Sequence, residues 1–320
     1  MSSPPPEANE PIQRVSFPAF PFVNTPGQTD IILRTSDGVD FYVQLAILSL
    51  VSPVFETMFT LPQAEDPSQI YPVIDVQETS PVLDRVLRFF YPCTQLTVDS
   101  LDELKEVIEI LITKYDMQWL IPSVKKHLER YVASDPITVY VFAYMHGWED
   151  LGRAAAKETL KLPLRASDDD TPEMLTLIPA DAYHKLLRYH YRCSVAARQT
   201  TTDLSWISLP QASTAAYRWF DCRQSSCTAY NSPRGPIVVA SKARLVRHWF
   251  MEYFVGMGDI LASTPAADVR DPAHPLFIRK IDKANECDYC RDRVSNHLGH
   301  FTGLWAARIQ TVIQEIEWKF

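Results

Sequence analysis

Two closely spaced cysteine pairs near the end of the chain are the residues best suited to chemistry. They are Cys222-x4-Cys227 and Cys287-x2-Cys290. Four thiolates from two such pairs can surround one zinc ion as a tetrahedron. The 59 residues between the pairs exceed the spacing within an ordinary zinc finger. The pattern predicts a structural zinc clip between two distant segments, with no open position for a substrate.

An alternative interpretation is that the second pair consists of incidental residues near the start of a helix. His297 and His300 follow one turn apart, and either ring could replace a missing thiolate ligand. The two remaining cysteines, Cys93 and Cys193, have no partner at ligand spacing. They are expected to pack as small apolar residues.

No sequence motif of an enzyme accompanies the cysteines. Gly256-Met257-Gly258 lacks the third glycine and the preceding strand of a dinucleotide-binding loop. The chain contains no Walker A sequence, no Gly-x-Ser-x-Gly motif and no His-Glu-x-x-His motif. The acidic run Asp168-Asp169-Asp170 has no further oxygen ligands at the spacing of a calcium loop. We therefore expect no catalytic activity.

Charge and hydropathy exclude two further classes of protein. The 320 residues carry a formal net charge of −8, with −10 in residues 1–200 and +2 in residues 201–320. Neither part offers the basic surface that nucleic acid requires. The longest apolar run, Val139–Met145, is far shorter than the ~20 residues that span a bilayer. We expect a globular protein that binds neither nucleic acid nor membrane.

The first residues predict a disordered tail, assigned to residues 1–26. The sequence MSSPPPEANEP has neither the basic n-region nor the apolar h-region of a secretory signal. Its polar, proline-rich composition is typical of a flexible segment. The expected location is the cytoplasm or nucleus, where cysteines stay reduced and available to a metal.

Residues 30–59 predict a β-hairpin followed by two helices. The segments DIILRT and VDFYV are β-prone, and Asp37-Gly38 between them suits a tight turn. Ser52-Pro53 combines a helix cap with a first-turn proline. The next predicted elements are a strand at 72–76, a helix capped by Ser80 and opened by Pro81, and helices at 101–114 and 118–132. A small sheet with a helical cluster makes an α+β domain.

The segments DIILRTSDGVDFYVQLAILSLVSPVFETMF, PVIDV and VLDRVLRFFYP resemble a BTB/POZ domain over residues 27–133. MFTLPQ and the FFYP ending are similar to the expanded BTB families of fungi. The resemblance implies an α+β domain, followed here by a mostly α-helical C-terminal region. It also implies a non-enzymatic protein–protein interaction module that self-associates, and many members of the family recruit a cullin scaffold of a ubiquitin ligase.

The resemblance further implies protein-binding positions: Asp30, Gln44, Met58, Phe59 and Glu65. Family members usually place a histidine and a basic residue where Gln44 and Leu45 stand, so a charged groove is not supported. Gln63-Ala64-Glu65 keeps the acid of the family's hydrophobic-x-Glu motif but lacks its apolar residue. We therefore expect weak or absent cullin binding. The alternative is that Asp30 caps a strand and Glu65 is a solvated loop charge.

The remainder of the chain is predicted to be helical. Residues 134–200 resemble a BACK-like extension by their position, since Asp135-Pro136 opens a helix that Gly147 ends. Residues 201–320 are assigned to a helical C-terminal domain with the zinc clip. The predicted helices of these two regions lie at about 136–146, 149–162, 179–197, 242–257 and 292–318. The basic residues at the start of the helix at 242–257 predict a solvated polar face.

These features predict a homo-oligomer that self-associates through its BTB unit and binds an unknown client through the C-terminal region. The first alternative is a substrate adaptor of a cullin-based ubiquitin ligase. The second is a transcription- or chromatin-associated BTB protein, which would need a basic surface that the nearly neutral C-terminal part does not offer.

Overall fold

The computed structural model describes residues 18–61, 70–92, 94, 98–164, 173–202, 204–207, 217–231, 237–239 and 242–320. The chain falls into two compact units, Met1–Arg130 and Tyr131–Phe320. Across these described ranges, every helix is too short or too polar to cross a membrane.

A three-stranded sheet forms the frame of the N-terminal unit. Its strands are β1 (Ile31–Arg34), β2 (Asp40–Val43) and β3 (Val73–Asp75), in the order β2-β1-β3. β1 pairs antiparallel with β2, with Leu33 opposite Phe41, and parallel with β3. Gly38 adopts a φ of +79° in the hairpin turn, a conformation that glycine reaches without strain. The predicted hairpin and third strand are present.

Helices cover the rest of the N-terminal unit: α1 (Leu45–Val51), α2 (Pro53–Thr60), α3 (Ser80–Phe90), α4 (Leu101–Ile108) and α5 (Ile121–Glu129). A π-helical segment, Glu109–Lys114, continues α4, and a 3-10 turn, Gln118–Leu120, precedes α5. Leu83, Leu87 and Leu104 are buried as their helical spacing predicts. The α+β fold class is confirmed.

Two serines that were predicted to cap helices behave differently. Ser52 Oγ accepts the N–H of Phe55 at 3.1 Å, which caps α2 as expected. Ser80 is instead the first residue of α3, with Thr79 at the N-cap position, so its predicted capping role is wrong. The Ser80 N–H and hydroxyl donate to the Asp37 carboxylate, at 2.9 and 2.7 Å. The Asp37 carboxylate of the turn therefore satisfies the first N–H of α3 and also accepts the Ser80 hydroxyl.

The C-terminal unit is mostly helical. Its α-helices are α6 (Pro136–Met145), α7 (Glu149–Glu158), α8 (Ala180–Gln199), α9 (Arg218–Asp221), α10 (His248–Leu261), α11 (Pro275–Asn285), α12 (Asp288–Arg291) and α13 (Val294–Gln314). Two 3-10 segments, Thr159–Lys161 and Glu173–Leu177, lie between α7 and α8. Asp135 caps α6 by accepting the N–H of Thr138 at 3.1 Å, as Asp135-Pro136 predicts.

The basic segment at residues 242–248 differs from its prediction. Lys242–Arg244 forms a strand, β5, that pairs antiparallel with β4 (Ile237–Val239), and α10 begins only at His248. The β-branched run of β4 offers a partner strand, which outweighs the helical spacing of the residues that follow. Arg247 occupies the N-cap position of α10 and is only 4% exposed. The predicted helix therefore does not extend over residues 242–247, and Arg247 is buried rather than solvated, whereas His248 is exposed.

An aromatic core stabilises the C-terminal unit. The Trp219 ring stacks on Phe250 with centroids 4.5 Å apart, and Phe254 lies 4.6 Å from Trp305. The Trp305 Nε1–H donates to Thr200 Oγ1 at 2.7 Å. Helix α13 faces this core through Leu298, Phe301, Trp305 and Ile309, all of them buried.

Candidate metal centre and interaction surfaces

The four cysteines of the two pairs lie together in the C-terminal unit. Cys222 directly follows α9 and Cys227 lies in the turn after it, while Cys287 precedes α12 and Cys290 lies within it. All four residues are buried, and their sulfurs lie within 4.8 Å of one another. The fold thus brings two pairs that are far apart in the sequence into one cluster.

The distances within this four-cysteine cluster fit a tetrahedral metal. The sulfurs of Cys222 and Cys287 are 3.7 Å apart, and those of Cys227 and Cys290 are 3.8 Å apart. A Zn–S bond of ~2.3 Å places the corners of a tetrahedron ~3.8 Å from each other. Each of these contacts joins one sulfur of the first pair to one of the second. Soft thiolate donors of this kind favour zinc over calcium or magnesium.

The thiols of the cluster differ in acidity. Burial raises the pKa of Cys227 to about 12, and it also raises the pKa of Cys290. Burial acts in the same direction on Cys287, but hydrogen bonds from the Cys290 backbone, the Cys222 thiol and the Tyr289 backbone lower its pKa below the ordinary value. A metal that binds here must therefore displace protons from at least two thiols.

The proposed substitute ligands, His297 and His300, lie outside the cluster. His297 Nδ1 accepts the backbone N–H of Arg218 at 3.2 Å, and His300 Nδ1 shares a hydrogen bond of 2.9 Å with the Tyr217 hydroxyl. Burial, together with Arg218, Arg293 and His300, lowers the pKa of His297 below its ordinary value. These contacts join the segment before Cys222 to α13.

Arg247 lies beside the cluster. Its Nη1–H donates to the backbone carbonyl of Cys227, and its backbone N–H donates to the Trp219 carbonyl at 3.0 Å. Its Nε atom is buried without a hydrogen-bond partner. Among the residues that the structure describes, no carboxylate forms an ion pair with this guanidinium. A buried cation is thus anchored to a residue of the cluster.

In the N-terminal unit, Asp30 and Gln44 both lie at the start of α1. Asp30 Oδ1 accepts the backbone N–H of Leu45, the first residue of that helix, at 2.6 Å. Gln44 occupies the N-cap position without a capping bond from its side chain, and its N–H donates to the Tyr91 hydroxyl at 3.0 Å. In this arrangement Asp30 caps a helix end rather than lining a charged groove.

The other predicted interaction residues belong to α2 and the segment after it. Met58 and Phe59 are half-buried, and the Phe59 ring stacks on Phe55 with centroids 5.8 Å apart. Glu65 lies outside the described residues.

Helix α1 exposes two leucines. Leu50 is 86% exposed and Leu45 is 37% exposed, whereas Leu48 of the same helix is fully buried. Trp119 lies next to the end of α1, because its Nε1–H donates to the Val51 carbonyl at 2.8 Å, and it is itself 55% exposed. Leu50 and Trp119 are therefore exposed apolar side chains near the C-terminal end of the helix.

A groove of about 930 Å³ lies on the C-terminal unit. Its lining includes a basic row, Arg153, Lys157 and Lys161, spaced four residues apart along α7 and the turn after it. It also includes an apolar row from α13 and its C-terminal end: Ile309, Ile313 and Ile316. Lys161 pairs with Glu158 at 2.6 Å, whereas Arg153 and Lys157 have no carboxylate partner among the described residues. The groove therefore combines unbalanced positive charge with apolar surface.

Comparison with known proteins identifies the N-terminal unit. Residues 22–131 match the family model of the BTB/POZ domain, and this range contains β1–β3 and α1–α5. The N-terminal unit is a BTB/POZ domain. The BTB/POZ domain is a protein-interaction fold, so the predicted family and the predicted role in protein binding agree with this match.

Two curated relatives are similar to part of the chain. The chain is 28% identical to Kelch repeat and BTB domain-containing protein 8 of Mus musculus over 129 residues, and 27% identical to the protein of that name from Homo sapiens over 129 residues. Each alignment covers 39% of this chain. The chain spans only 20% of the length of these relatives.

Sequence reasoning missed three features outside the cysteine pairs. The basic row of the groove could have been found from the sequence, because its residues are four apart on a predicted helix and such residues share one helix face. No sequence signal indicated the exposure of Leu50, since six of the seven residues of LAILSLV are apolar. No sequence signal indicated the burial of Arg247 either, because arginine is almost always exposed.

Proposed function

We propose that the chain is a non-enzymatic protein-interaction protein that self-associates through its BTB/POZ domain. The exposure of Leu50 on α1 is the observation that supports this most directly, since 86% of this residue is accessible to solvent. Burial of one leucine side chain contributes roughly 1.5–3 kcal/mol. A second copy that covers α1 on each protomer would remove this surface from water twice in a symmetric dimer.

Light scattering on the full chain tests self-association. We expect about twice the monomer mass of 36.5 kDa for the wild type, and a monomer for Leu50→Asp. Ile70→Asp is the matched control, because Ile70 is 87% exposed but lies outside α1. A monomeric wild type at about 50 μM, a concentration that reveals even weak dimers, would contradict the proposal. Equal dissociation of the two variants would contradict the role of α1.

We further propose that the C-terminal unit binds a client protein through its groove. The unbalanced charges of Arg153 and Lys157 favour an acidic segment, and the isoleucine row favours one with an apolar side. An amphipathic helix that carries Asp or Glu along one edge satisfies both requirements. Complementary charge of this kind mainly raises the association rate and selects the partner.

Peptide selection tests the groove. A phage-displayed random peptide library is selected on the full chain, and the enriched peptides are titrated against Arg153→Glu/Lys157→Glu. We expect acidic, aliphatic peptides whose affinity falls at least tenfold on the double variant, because two attractive charges become repulsive. The control is Arg192→Glu, at an exposed arginine of α8 outside the groove. Absent enrichment, or equal binding to all three proteins, would refute the proposed groove.

We infer that the four-cysteine cluster holds one structural zinc ion. Support comes from four buried sulfurs within 4.8 Å of one another, with contacts of 3.7 and 3.8 Å that match a tetrahedral edge. Four protein ligands would leave no position for a substrate, so the metal would stabilise the fold and not catalyse a reaction. The zinc would join the segment after α9 to α12.

Metal analysis of purified protein tests this site. We expect one zinc per chain in the wild type and none in Cys227→Ser. Cys193→Ser is the matched control, because Cys193 is equally buried but lies outside the cluster. Wild-type protein free of zinc after expression in zinc-supplemented medium would exclude the site.

No specific observation favours either alternative function, the cullin adaptor or the transcription- or chromatin-associated protein. Cullin recruitment depends on Gln63, Ala64 and Glu65, which lie outside the described residues. A role in transcription would need a nucleic-acid surface, and the basic row of the groove is too short to neutralise many phosphates.

A further inference from the structure

We propose that Arg247 is the counter-charge of the zinc–thiolate cluster and sets its affinity for the metal. This inference rests on the proposed zinc site and concerns the charge of that site. Arg247 is only 4% exposed, and its guanidinium donates to the carbonyl of Cys227. A buried guanidinium stays protonated, so its charge needs a compensating anion nearby.

No such anion is present among the described carboxylates. The Nε atom of Arg247 is buried without a partner, and none of the described ion pairs includes this residue. Four neutral thiols would leave the cation uncompensated. One Zn²⁺ with four thiolates carries a net charge of −2, which would supply the missing negative charge.

The backbone fixes Arg247 at this position. Its N–H donates to the Trp219 carbonyl, three residues before Cys222, and it forms a β-bridge with Ala229, two residues after Cys227. The arginine therefore lies against the loop that supplies the first two sulfurs. Its charge stabilises thiolates over thiols and opposes loss of the metal to protons.

Arg218 provides a matched comparison within the same region. It precedes the cluster on α9, and its guanidinium lies 4.1 Å from the centroid of the Tyr289 ring. Unlike Arg247, it has its own carboxylate, Asp292, at 3.0 Å. Removal of Arg218 therefore removes a charge that is already balanced, whereas removal of Arg247 removes one that is not.

Competition with a zinc chelator on the full chain tests the proposal. We expect Arg247→Met to lower the affinity for zinc by 10- to 100-fold, the usual range for outer-shell partners of a metal site. The pH of half-release should rise in this variant, because protons compete better for thiolates without a nearby cation. Arg247→Lys, which keeps the charge, should restore most of the affinity and the wild-type pH midpoint. Arg218→Met should remain within about threefold of the wild type.

The outcomes separate this inference from the zinc proposal itself. Wild-type protein without zinc would refute the zinc site and Arg247's role with it. Zinc-loaded wild type with an unchanged affinity and pH midpoint in Arg247→Met would overturn only the role of Arg247. An equal loss in the Lys and Met variants, or in Arg218→Met, would show that charge at this position is not the cause. If Arg247→Met does not fold, Arg247→Gln replaces it in the same comparison.

Discussion

The two units of the protein join residues that are equally far apart in sequence by different means. In the BTB/POZ domain the Ser52 hydroxyl donates to the Tyr115 carbonyl at 2.6 Å, across 63 residues. In the C-terminal unit the sulfurs of Cys227 and Cys290 lie 3.8 Å apart, also across 63 residues. One neutral hydrogen bond contributes about 1 kcal/mol net. A structural zinc bound by these sulfurs would contribute on the order of 10 kcal/mol.

This difference follows from what surrounds each link. The Ser52 link lies within a unit framed by three paired strands and by buried side chains such as Phe41 and Phe55. The first cysteine pair lies in residues 217–231, where the regular structure is the four-residue α9 and one isolated bridge. A segment with so few backbone hydrogen bonds needs a stronger cross-link to stay ordered. The BTB/POZ domain should therefore tolerate loss of its link, and the C-terminal unit should not.

Cys287→Ser should have the largest effect. Removal of one thiolate should remove the zinc. The stabilisation of ~10 kcal/mol that a structural zinc supplies is comparable to the whole stability of a typical domain. Hydrogen exchange should show lost protection in residues 217–231 and in α12, while β1 and β2 keep theirs.

Cys193→Ser is the control for this experiment. It changes a buried thiol of α8 that takes no part in the cluster, so protection of residues 217–231 should persist. Unchanged protection in Cys287→Ser would show that the aromatic core alone orders the segment. The contrast between the two units would then be lost.

Ser52→Ala should have a moderate effect within the BTB/POZ domain. It removes both the cap of α2 and the long-range bond to Tyr115, with an expected loss of about 2 kcal/mol in the free energy of unfolding. Ser100→Ala is the matched control, because Ser100 only caps α4, by accepting the Glu103 N–H at 3.2 Å. Ser100→Ala should lower the free energy of unfolding by about 1 kcal/mol.

Urea unfolding, followed by exchange protection of β1 and β2, measures both variants. Equal midpoints for Ser52→Ala and Ser100→Ala would mean that the bond across 63 residues adds nothing measurable. If Ser52→Ala destabilised its unit as much as Cys287→Ser does, the two links would be energetically equivalent. That result would contradict the expected difference between the two units.

Much of the fold follows from local sequence signals, and the failures have identifiable causes. Ser52-Pro53 and Asp135-Pro136 predict helix starts because cap and proline act within one turn. The strand at Lys242–Arg244 differs from the predicted helix, because the spacing of its own residues does not reveal that they pair with β4, from which only two residues separate them. Helix α11 escaped prediction although His274-Pro275 marks its start, with the His274 ring accepting the Leu276 N–H at 3.1 Å.

The four-cysteine cluster depends on both local and tertiary information. Cysteine spacing singled out the four thiols, because each pair is a local feature. Their mutual distances depend on how α12 packs beside α9, which the intervening residues do not encode locally. Zinc occupancy and the interaction residues of α1 and α2 stay predictions.

Asp37→Asn should have the smallest effect, visible only in the pH dependence of the BTB/POZ domain. Hydrogen bonds from Thr35 and Ser80 lower the pKa of Asp37 below its ordinary value. A carboxyl group with a lower pKa in the folded state binds fewer protons there than in the unfolded chain. Its contribution to stability is therefore present above the unfolded pKa of about 4 and is lost as pH falls through the folded value. The carboxylate is exposed to solvent, so solvent screening keeps this contribution small.

The measurement is the urea midpoint for exchange protection of β1 and β2 between about pH 5 and pH 2, the range in which carboxylates take up protons. Asp37→Asn should lower the midpoint at pH 5 and flatten its decline toward pH 2, because the neutral amide does not titrate. Glu106→Gln, at an exposed position of α4, should decline in parallel with the wild type. A parallel decline in Asp37→Asn as well would mean that the turn carboxylate does not link the hairpin to α3 energetically. The BTB/POZ domain would then draw no measurable stability from the bonds between Asp37 and Ser80.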